Sequence, residues 1–190
     1  VHLKTIEGQP PVGICGSGIM DVVSEMYRSG IIDRKGAIRT GAPGVAGTDG
    51  MLAFTLAPAH QTGHGKAVTV SRKDINEIQL AKAAIRAGLE ILLAEAGATH
   101  DDIDEFIIAG AFGTYLDLHS SIRVGMFPPL PIHKFSQVGN AAGTGARQLL
   151  VSKVRRTVAG RLASKATYVE LTVHPEFSRR YMTALYFTAA

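Results

Sequence analysis

The sequence predicts an α/β fold, and three stretches carry that expectation. Phe106-Ile107-Ile108-Ala109 is a short apolar run that reads as a buried strand and enters a glycine turn, Gly110-Ala111-Phe112-Gly113. Asp74–Ala96, just before it, has apolar residues at helical spacing. Gly139-Asn140-Ala141-Ala142-Gly143-Thr144-Gly145-Ala146, further on, starts a second helix rich in small residues. A buried strand that ends in a glycine turn is a common place for α/β proteins to bring backbone against a nucleotide. The same residues also suit a plain tight turn behind a core strand, and the turn by itself does not choose.

Composition narrows the field. The chain has 190 residues, 46% of them hydrophobic, with 21 glycines, which suits one globular domain or one domain plus a lobe. The formal net charge is +4, but the basic residues are scattered outside Lys153-Val154-Arg155-Arg156 and Arg179-Arg180. No basic stripe with interleaved aromatics is present, so nucleic acid is not an expected partner. The single cysteine, Cys15, excludes an internal disulfide and points to a reducing, cytoplasmic compartment. No apolar run is long enough to span a bilayer, so no membrane is expected. The sequence opens on Val1 rather than Met, and a natural start upstream is expected.

Taken in order, His2, Leu3, Thr5 and Ile6 suggest a strand that Pro10-Pro11 stops. Gly13-Ile14-Cys15-Gly16-Ser17-Gly18 is a glycine turn, and Ile19, Val22, Val23 and Met26 follow at helical spacing. Gly30 stands where a helix C-cap belongs. A glycine turn opening a helix leaves N–H groups free for an anion. No Gly-Lys-Ser/Thr follows, so this is not a phosphate-binding P-loop, and a Gly-rich N-cap is the alternative. Ile31–Gly50 is turn-rich, and Met51–Leu56 and Ala67–Val70 read as strands. His60 and His64 are four apart, but Pro58, Gly63 and Gly65 make this a loop without a third ligand, so no metal site is expected.

Asp74 is the expected N-cap of the long helix, with Glu77 completing a capping box. Ile75, Ile78, Ala81, Ile85, Leu89 and Leu92 form its expected buried face, and Gly97 ends it. Lys82 falls inside that face. It either snorkels to the edge or, with Gln79, reaches a ligand pocket beside the glycine turn. Phe127-Pro128-Pro129-Leu130-Pro131 is a rigid connection. Gly139–Ser152 is a helix with Asn140 as N-cap, and its face of Ala142, Gly145, Ala146 and Leu149 lets another backbone come close. Val154–Ser164 reads as a helix, Tyr168–Val173 as a strand, and the stretch from Pro175 as a terminal helix or turn. No nucleophile–base pair stands out, so no catalytic residue is assigned.

Four stretches together carry a resemblance. They are GICGSGIMD at Gly13–Asp21, DINEIQLAKAAIRAG at Asp74–Gly88, FIIAGAFGTYLD at Phe106–Asp117 and VGNAAGTGA at Val138–Ala146. The chain resembles, over essentially its whole length, the C-terminal domain of the reductive activators of corrinoid proteins. These belong to the superfamily of acetate and sugar kinases, heat-shock chaperones and actin. The resemblance implies a ribonuclease-H-like subdomain with a mixed sheet and flanking helices, plus a small inserted lobe. It implies a C-terminal half of an actin-like ATPase module, with residues 1–50 as the small lobe and 51–190 as the ribonuclease-H-like subdomain. The iron–sulfur domain and the first ATPase subdomain are then expected upstream.

The same resemblance assigns roles. Phe106–Gly113 looks like the adenosine motif, which makes Gly110, Ala111, Phe112 and Gly113 nucleotide-binding. Gly16, Ser17 and Gly18 would line the site from the small lobe, and Gln79 and Lys82 from the helix that walls the pocket. Gly139, Asn140, Gly143 and Gly145 look like the hinge. The parent protein would use ATP and Mg²⁺ to drive reduction of cobalt(II) to cobalt(I) in a corrinoid protein or corrinoid-dependent methyltransferase. The electron would come from a [2Fe-2S] cluster outside this chain, and the isolated chain would be inactive.

Two departures stand out. The usual Gly-Gly pair of the adenosine motif is replaced by Ala109-Gly110-Ala111-Phe112-Gly113, and the acidic Asp-x-Gly phosphate motifs are absent. The alternatives are an activator of 2-hydroxyacyl-CoA dehydratases, whose homodimer holds a cluster on four cysteines, and a non-catalytic nucleotide-sensing or dimerisation module. A homodimer of this chain offers two cysteines, which favours the corrinoid activator.

Overall fold

The computed structural model describes residues 2–48 and 51–188. Helix α1 (Gly16–Arg28) comes first, followed by strands β1 (Val45–Thr48), β2 (Met51–Ala57) and β3 (Val68–Ser71). These three form an antiparallel sheet in the order β1-β2-β3, with Val45 opposite Phe54 and Phe54 opposite Val70. Helix α2 (Arg72–Glu95) leads to β4 (Phe106–Ala109), the single-turn α3 (Ala111–Thr114) and α4 (Leu118–Arg123). Strand β5 (Phe135–Gly139) pairs in parallel with β4, and helices α5 (Ala141–Val151), α6 (Lys153–Ala163) and α7 (Phe177–Ala184) close the chain.

One core joins α1, β2, β3, α2 and β4 with the chain end at Phe187, while α5, α6 and α7 add no buried residue to it. Met20, Val23 and Met26 of α1 pack with Phe54, Val70, Ile75, Ile108, Val124 and Phe127. The expected boundary after residue 50 therefore falls inside the β1–β2 hairpin, and both sides of it share this core. Gly50 itself lies outside the described residues.

Several elements differ from the sequence expectation. β1 lies in a stretch read as turns, and β5 falls between the expected connection at Phe127–Pro131 and the expected helix, taking in Gly139, the first residue of the latter. β5 is short and half polar, and what holds it is non-local. Phe135 packs on Phe106 at 5.2 Å between ring centroids, and Phe106 on Phe127 at 5.2 Å. β4 is buried on one face only: Ile108 is in the core while Ile107 is 59% exposed. The expected strand at His2–Ile6 is absent, and Ile6–Gly8 forms a 3₁₀ turn instead. Tyr168–Val173 is not a strand either. The Glu170 carboxylate accepts the Thr172 amide (3.1 Å) and hydroxyl (2.7 Å), folding the segment into a local turn without a partner strand.

Helix α2 is the longest element, and its cap and buried face both differ from expectation. Ser71 is the N-cap, its hydroxyl accepting the Asp74 amide, and Asp74 at N3 returns the bond to the Ser71 amide (2.8 Å). The capping box is real but begins three residues earlier. The buried stripe is Ile75, Gln79, Lys82, Ala83, Ala87 and Ile91, while Ala81, Ile85 and Leu92 face outward.

The rotation follows from what docks there. The C-terminal segment 185–188 runs against α2. The Phe187 amide donates to the Arg34 carbonyl (3.0 Å), and Arg34 Nε donates to the Phe187 carbonyl (3.1 Å). The Phe187 ring is fully buried, 5.2 Å from Tyr27, and Tyr27 Oη donates to the Thr188 carbonyl (2.7 Å). Truncating a buried aromatic removes its transfer energy and leaves a cavity, so Phe187→Ala is expected to destabilise the chain by about 3–5 kcal/mol. Val173→Ala, in the exposed turn, should shift stability by less than about 0.5 kcal/mol. Urea unfolding of both variants checks this, and a large loss for Val173→Ala would restore the strand reading of 168–173.

Candidate functional site

Three glycine-bearing segments meet. At the start of α1, a Cβ built on Gly16 would lie 2.9 Å from the Phe112 ring, so the first turn of α1 rests on α3. At the other side of α3, the Gly110 amide donates to the Gly139 carbonyl at 2.7 Å, which ties the end of β4 to the end of β5. Gln137 of β5 then donates its amide to the Gly113 carbonyl (2.6 Å) and the Leu116 carbonyl (2.9 Å), fixing the turn after β4. Asn140 caps α5, its Oδ1 accepting the Gly143 amide (2.8 Å). The helix starts of α1, α3 and α5 thus gather around the Gly110–Gly113 turn.

The glycines are not alike. Gly113 is a packing glycine: a Cβ there would come within 2.5 Å of Ile108 Cγ2. Gly110 has φ +105 and open space where a Cβ would be, so its backbone conformation rather than a neighbour requires glycine. Gly145 is also open, with nothing within 4 Å of a built Cβ. Phe112 presents a ring 53% exposed at the same place. The cluster therefore offers open backbone and one aromatic face to solvent, with orphan N–H groups at the start of α1.

Cys15 is the N-cap of α1. The Gly18 amide donates to its Sγ (3.3 Å), and the Ser17 hydroxyl lies 3.5 Å away. These contacts, Ser17 first, hold the thiol below its ordinary pKa, and it stays exposed. Among the described residues no group of three His, Cys, Asp or Glu side chains is placed to hold a metal ion. His64 uses Nδ1 to accept the Lys66 amide (3.2 Å) within its loop. Among the described residues no helix is long and apolar enough to cross a membrane.

Gln79 and Lys82 are not brought to the glycine cluster by any hydrogen bond. Gln79 Nε2 donates to the Leu185 carbonyl (2.9 Å) and the Lys35 carbonyl (3.3 Å), while its Oε1 accepts Arg72 Nη1 (2.9 Å). Lys82 does not snorkel: it is 1% exposed, donates to the Tyr186 carbonyl, and sits 5.1 Å from the Phe187 ring centroid. Burial, with Arg86 and Arg34 nearby, pushes its pKa down to about 8. Both side chains hold the C-terminal segment. Sequence reading missed Gln137, because it lies on a strand that only tertiary pairing creates.

Comparison with known proteins adds a family. The whole chain, residues 1–190, matches the family described as the C-terminal domain of RACo, the ASKHA domain. It is 34% identical over 181 residues to the corrinoid activation enzyme RamQ of Eubacterium limosum, covering 90% of this chain and 30% of that protein. It is 25% identical over 186 residues to the Co(II) methylated amine-specific corrinoid protein reductase of Methanosarcina barkeri, covering 97% and 31%. A solved structure of a reductive activator for corrinoid, iron–sulfur protein superposes with a TM-score of 0.88 at 39% identity, over 97% of this chain and 30% of that one. The chain thus spans roughly three tenths of the length of these relatives.

The buried Lys82 gives a pH signature. Its folded pKa is depressed below the ordinary lysine value near 10.4. Below about pH 8 folded and unfolded chains both hold the proton, and the burial penalty stands in full. Between about 8 and about 10 the unfolded chain binds the proton that the folded chain has released, so stability rises with pH. From about pH 7.5 to about pH 9.5 the gain should be on the order of 2 kcal/mol. Lys82→Met should lack it. Parallel pH profiles for the two proteins in urea unfolding would show that Lys82 does not titrate there.

Proposed function

The chain belongs to the family of RACo C-terminal ASKHA domains, and on that premise we propose that it forms the adenosine side of the nucleotide site in an ATP-dependent reductive activator. The activity of the whole protein is then the reduction of cobalt(II) to cobalt(I) in a corrinoid protein, a reading supported by one relative named as a corrinoid activation enzyme and another as a Co(II) corrinoid protein reductase. One observation carries the reading: the starts of α1, α3 and α5 converge on a turn whose Gly110 is open to solvent.

The fit to ATP rests on the chemistry of that turn. Open backbone at Gly110 and Ala111 admits a flat base or ribose closely, and the exposed Phe112 ring offers it a face. The N–H groups at Gly16 and Ser17 suit phosphate oxygens. Gly139, Asn140, Gly143 and Gly145 serve as the hinge on which nucleotide state shifts the population of conformers. Gln79 and Lys82 have another task, clamping the chain end.

The electron would come from a [2Fe-2S] cluster in another part of the protein. This chain does not fit the cluster, since Cys15 is its one cysteine. The partner is a corrinoid protein or a methyltransferase that carries one, and a cytoplasmic setting agrees with the exposed thiol. In this reading residues 1–190 supply the second half of the ATPase module. Hydrolysis needs γ-phosphate and Mg²⁺ ligands from the other half, so the chain alone does not turn over ATP.

Gly145→Val tests the site with little strain on the fold, because a Cβ there meets nothing within 4 Å. In the intact protein that carries this domain, it is expected to weaken ATP binding at least tenfold, about 1.4 kcal/mol. Gly160→Val on α6, equally open, should bind ATP like the parent. Calorimetric titration decides, and unchanged affinity in Gly145→Val would remove the hinge from the nucleotide site. The chain alone should release no phosphate from MgATP, and turnover equal to that of the intact protein would place the catalytic loops within residues 1–190.

A further inference from the structure

A cavity of about 310 Å³ lies between α2, α7 and the C-terminal segment. Five cationic side chains line it, Arg34, Lys82, Arg86, Arg179 and Arg180, against the single carboxylate of Glu90. That carboxylate is already engaged. It accepts Arg86 Nε at 2.7 Å and contacts His100 Nε2 at 3.0 Å. Arg179 pairs with Glu176. Among the described residues Arg34 and Lys82 have no carboxylate partner, and Arg180 has only loose ones, with Nη1 3.9 Å from Glu90 Oε2. Arg180 Nε is buried without a hydrogen-bond partner among the described residues, and its nearest carboxylate oxygen, on Glu176, is 3.9 Å away. Lys82 is almost wholly buried and has one carbonyl acceptor for its three donors.

We propose that this cavity binds a small multivalent anion of the phosphate class. Buried donors without acceptors are costly, and like charges held together in a partly desolvated cleft repel. An oxyanion among them satisfies both. Guanidinium groups from two helices, with an ammonium between them, match the several acceptor oxygens of a phosphate better than a single carboxylate does. The volume equals about ten waters at roughly 30 Å³ each, room for a diphosphate or a small phosphorylated molecule. Bound there, the anion bridges α7 to α2 beside the docked chain end. The residues are separate from the glycine cluster, so the inference does not rest on the nucleotide reading.

The test uses the full chain with sodium pyrophosphate, inorganic phosphate, citrate and sodium chloride at matched ionic strength, read by calorimetry and thermal unfolding. Pyrophosphate is expected to bind saturably and to raise the unfolding midpoint where chloride does not. A free phosphate ligand predicts that inorganic phosphate competes well. A phosphorylated metabolite predicts that it competes weakly while pyrophosphate still saturates. Arg180→Gln is expected to weaken pyrophosphate binding at least fivefold, and so is Arg86→Gln. Arg86 also donates to the Phe127 carbonyl, so Arg180→Gln decides if Arg86→Gln is poorly folded. Arg156→Gln, on the exposed face of α6, should bind like the parent. Gly145→Val should leave pyrophosphate binding intact even if it abolishes ATP binding. Stabilisation that follows ionic strength alone, tighter binding of citrate, or an Arg180→Gln variant that titrates like the parent would overturn the proposal.

Discussion

The structure depends on the docking of its last residues onto α2. A lysine ammonium inside a protein is costly because water is lost from a full charge. Here the Tyr186 carbonyl and the face of Phe187 replace part of that hydration. Gln79, one turn earlier, satisfies the Leu185 and Lys35 carbonyls together. These are irregular backbone groups that no sheet reaches, and buried carbonyls need donors. Two polar side chains on a helix face supply them. Phe187, filling the space between Tyr27 and Lys82, makes the seat apolar enough for the exchange to be favourable.

That seat explains why the helix face was misread. The apolar residues of α2 are most concentrated on the side of Ile78, Ile85 and Leu92, and apolar periodicity points there. The buried side is instead set by what binds it. The chain end requires donors, so Gln79 and Lys82 turn inward and Ile85 and Leu92 are left outside. The capping box was legible in type and displaced in position, because Asp74 with Glu77 repeats, three residues on, the pattern that Ser71 and Asp74 form. Local chemistry was read well elsewhere: Gly30 and Gly97 follow helix ends with φ +71 and +63, and Asn140 caps α5.

Non-local pairing was not legible. β1 and β5 have weak patterns of their own and exist because β2 and β4 present open edges to them. Tyr168–Val173 shows the converse: its alternation is strand-like, but no edge meets it and Glu170 closes a local turn instead. The candidate site divides along the same line. Its glycines were visible as residues. Their convergence was not, because the contacts that create it, Gly16 on Phe112 and Gly110 on Gly139, join positions far apart in sequence. Gln79 and Lys82 were visible as anomalies on an apolar face, but their partner is a backbone with no sequence pattern to announce it.

Helix α1 joins the two regions. Its first turn, at Gly16, rests on Phe112 of the glycine cluster, and its last turn carries Tyr27, which holds Phe187 and Thr188. Its 13 residues span about 20 Å. Ser24 and Glu25, between these ends, accept Arg123 of α4, and the Arg123 carbonyl in turn accepts the Thr188 hydroxyl. A packed helix moves as a body, so a ligand that shifts Phe112 has a continuous solid path to the chain end. Such a path is not yet a coupling. Coupling requires that α1 have two discrete arrangements and that each ligand favour one of them by its own contacts. Gly16 is where the two elements touch: a Cβ there would lie 2.9 Å from the Phe112 ring, so the close approach of helix start and ring depends on the missing side chain.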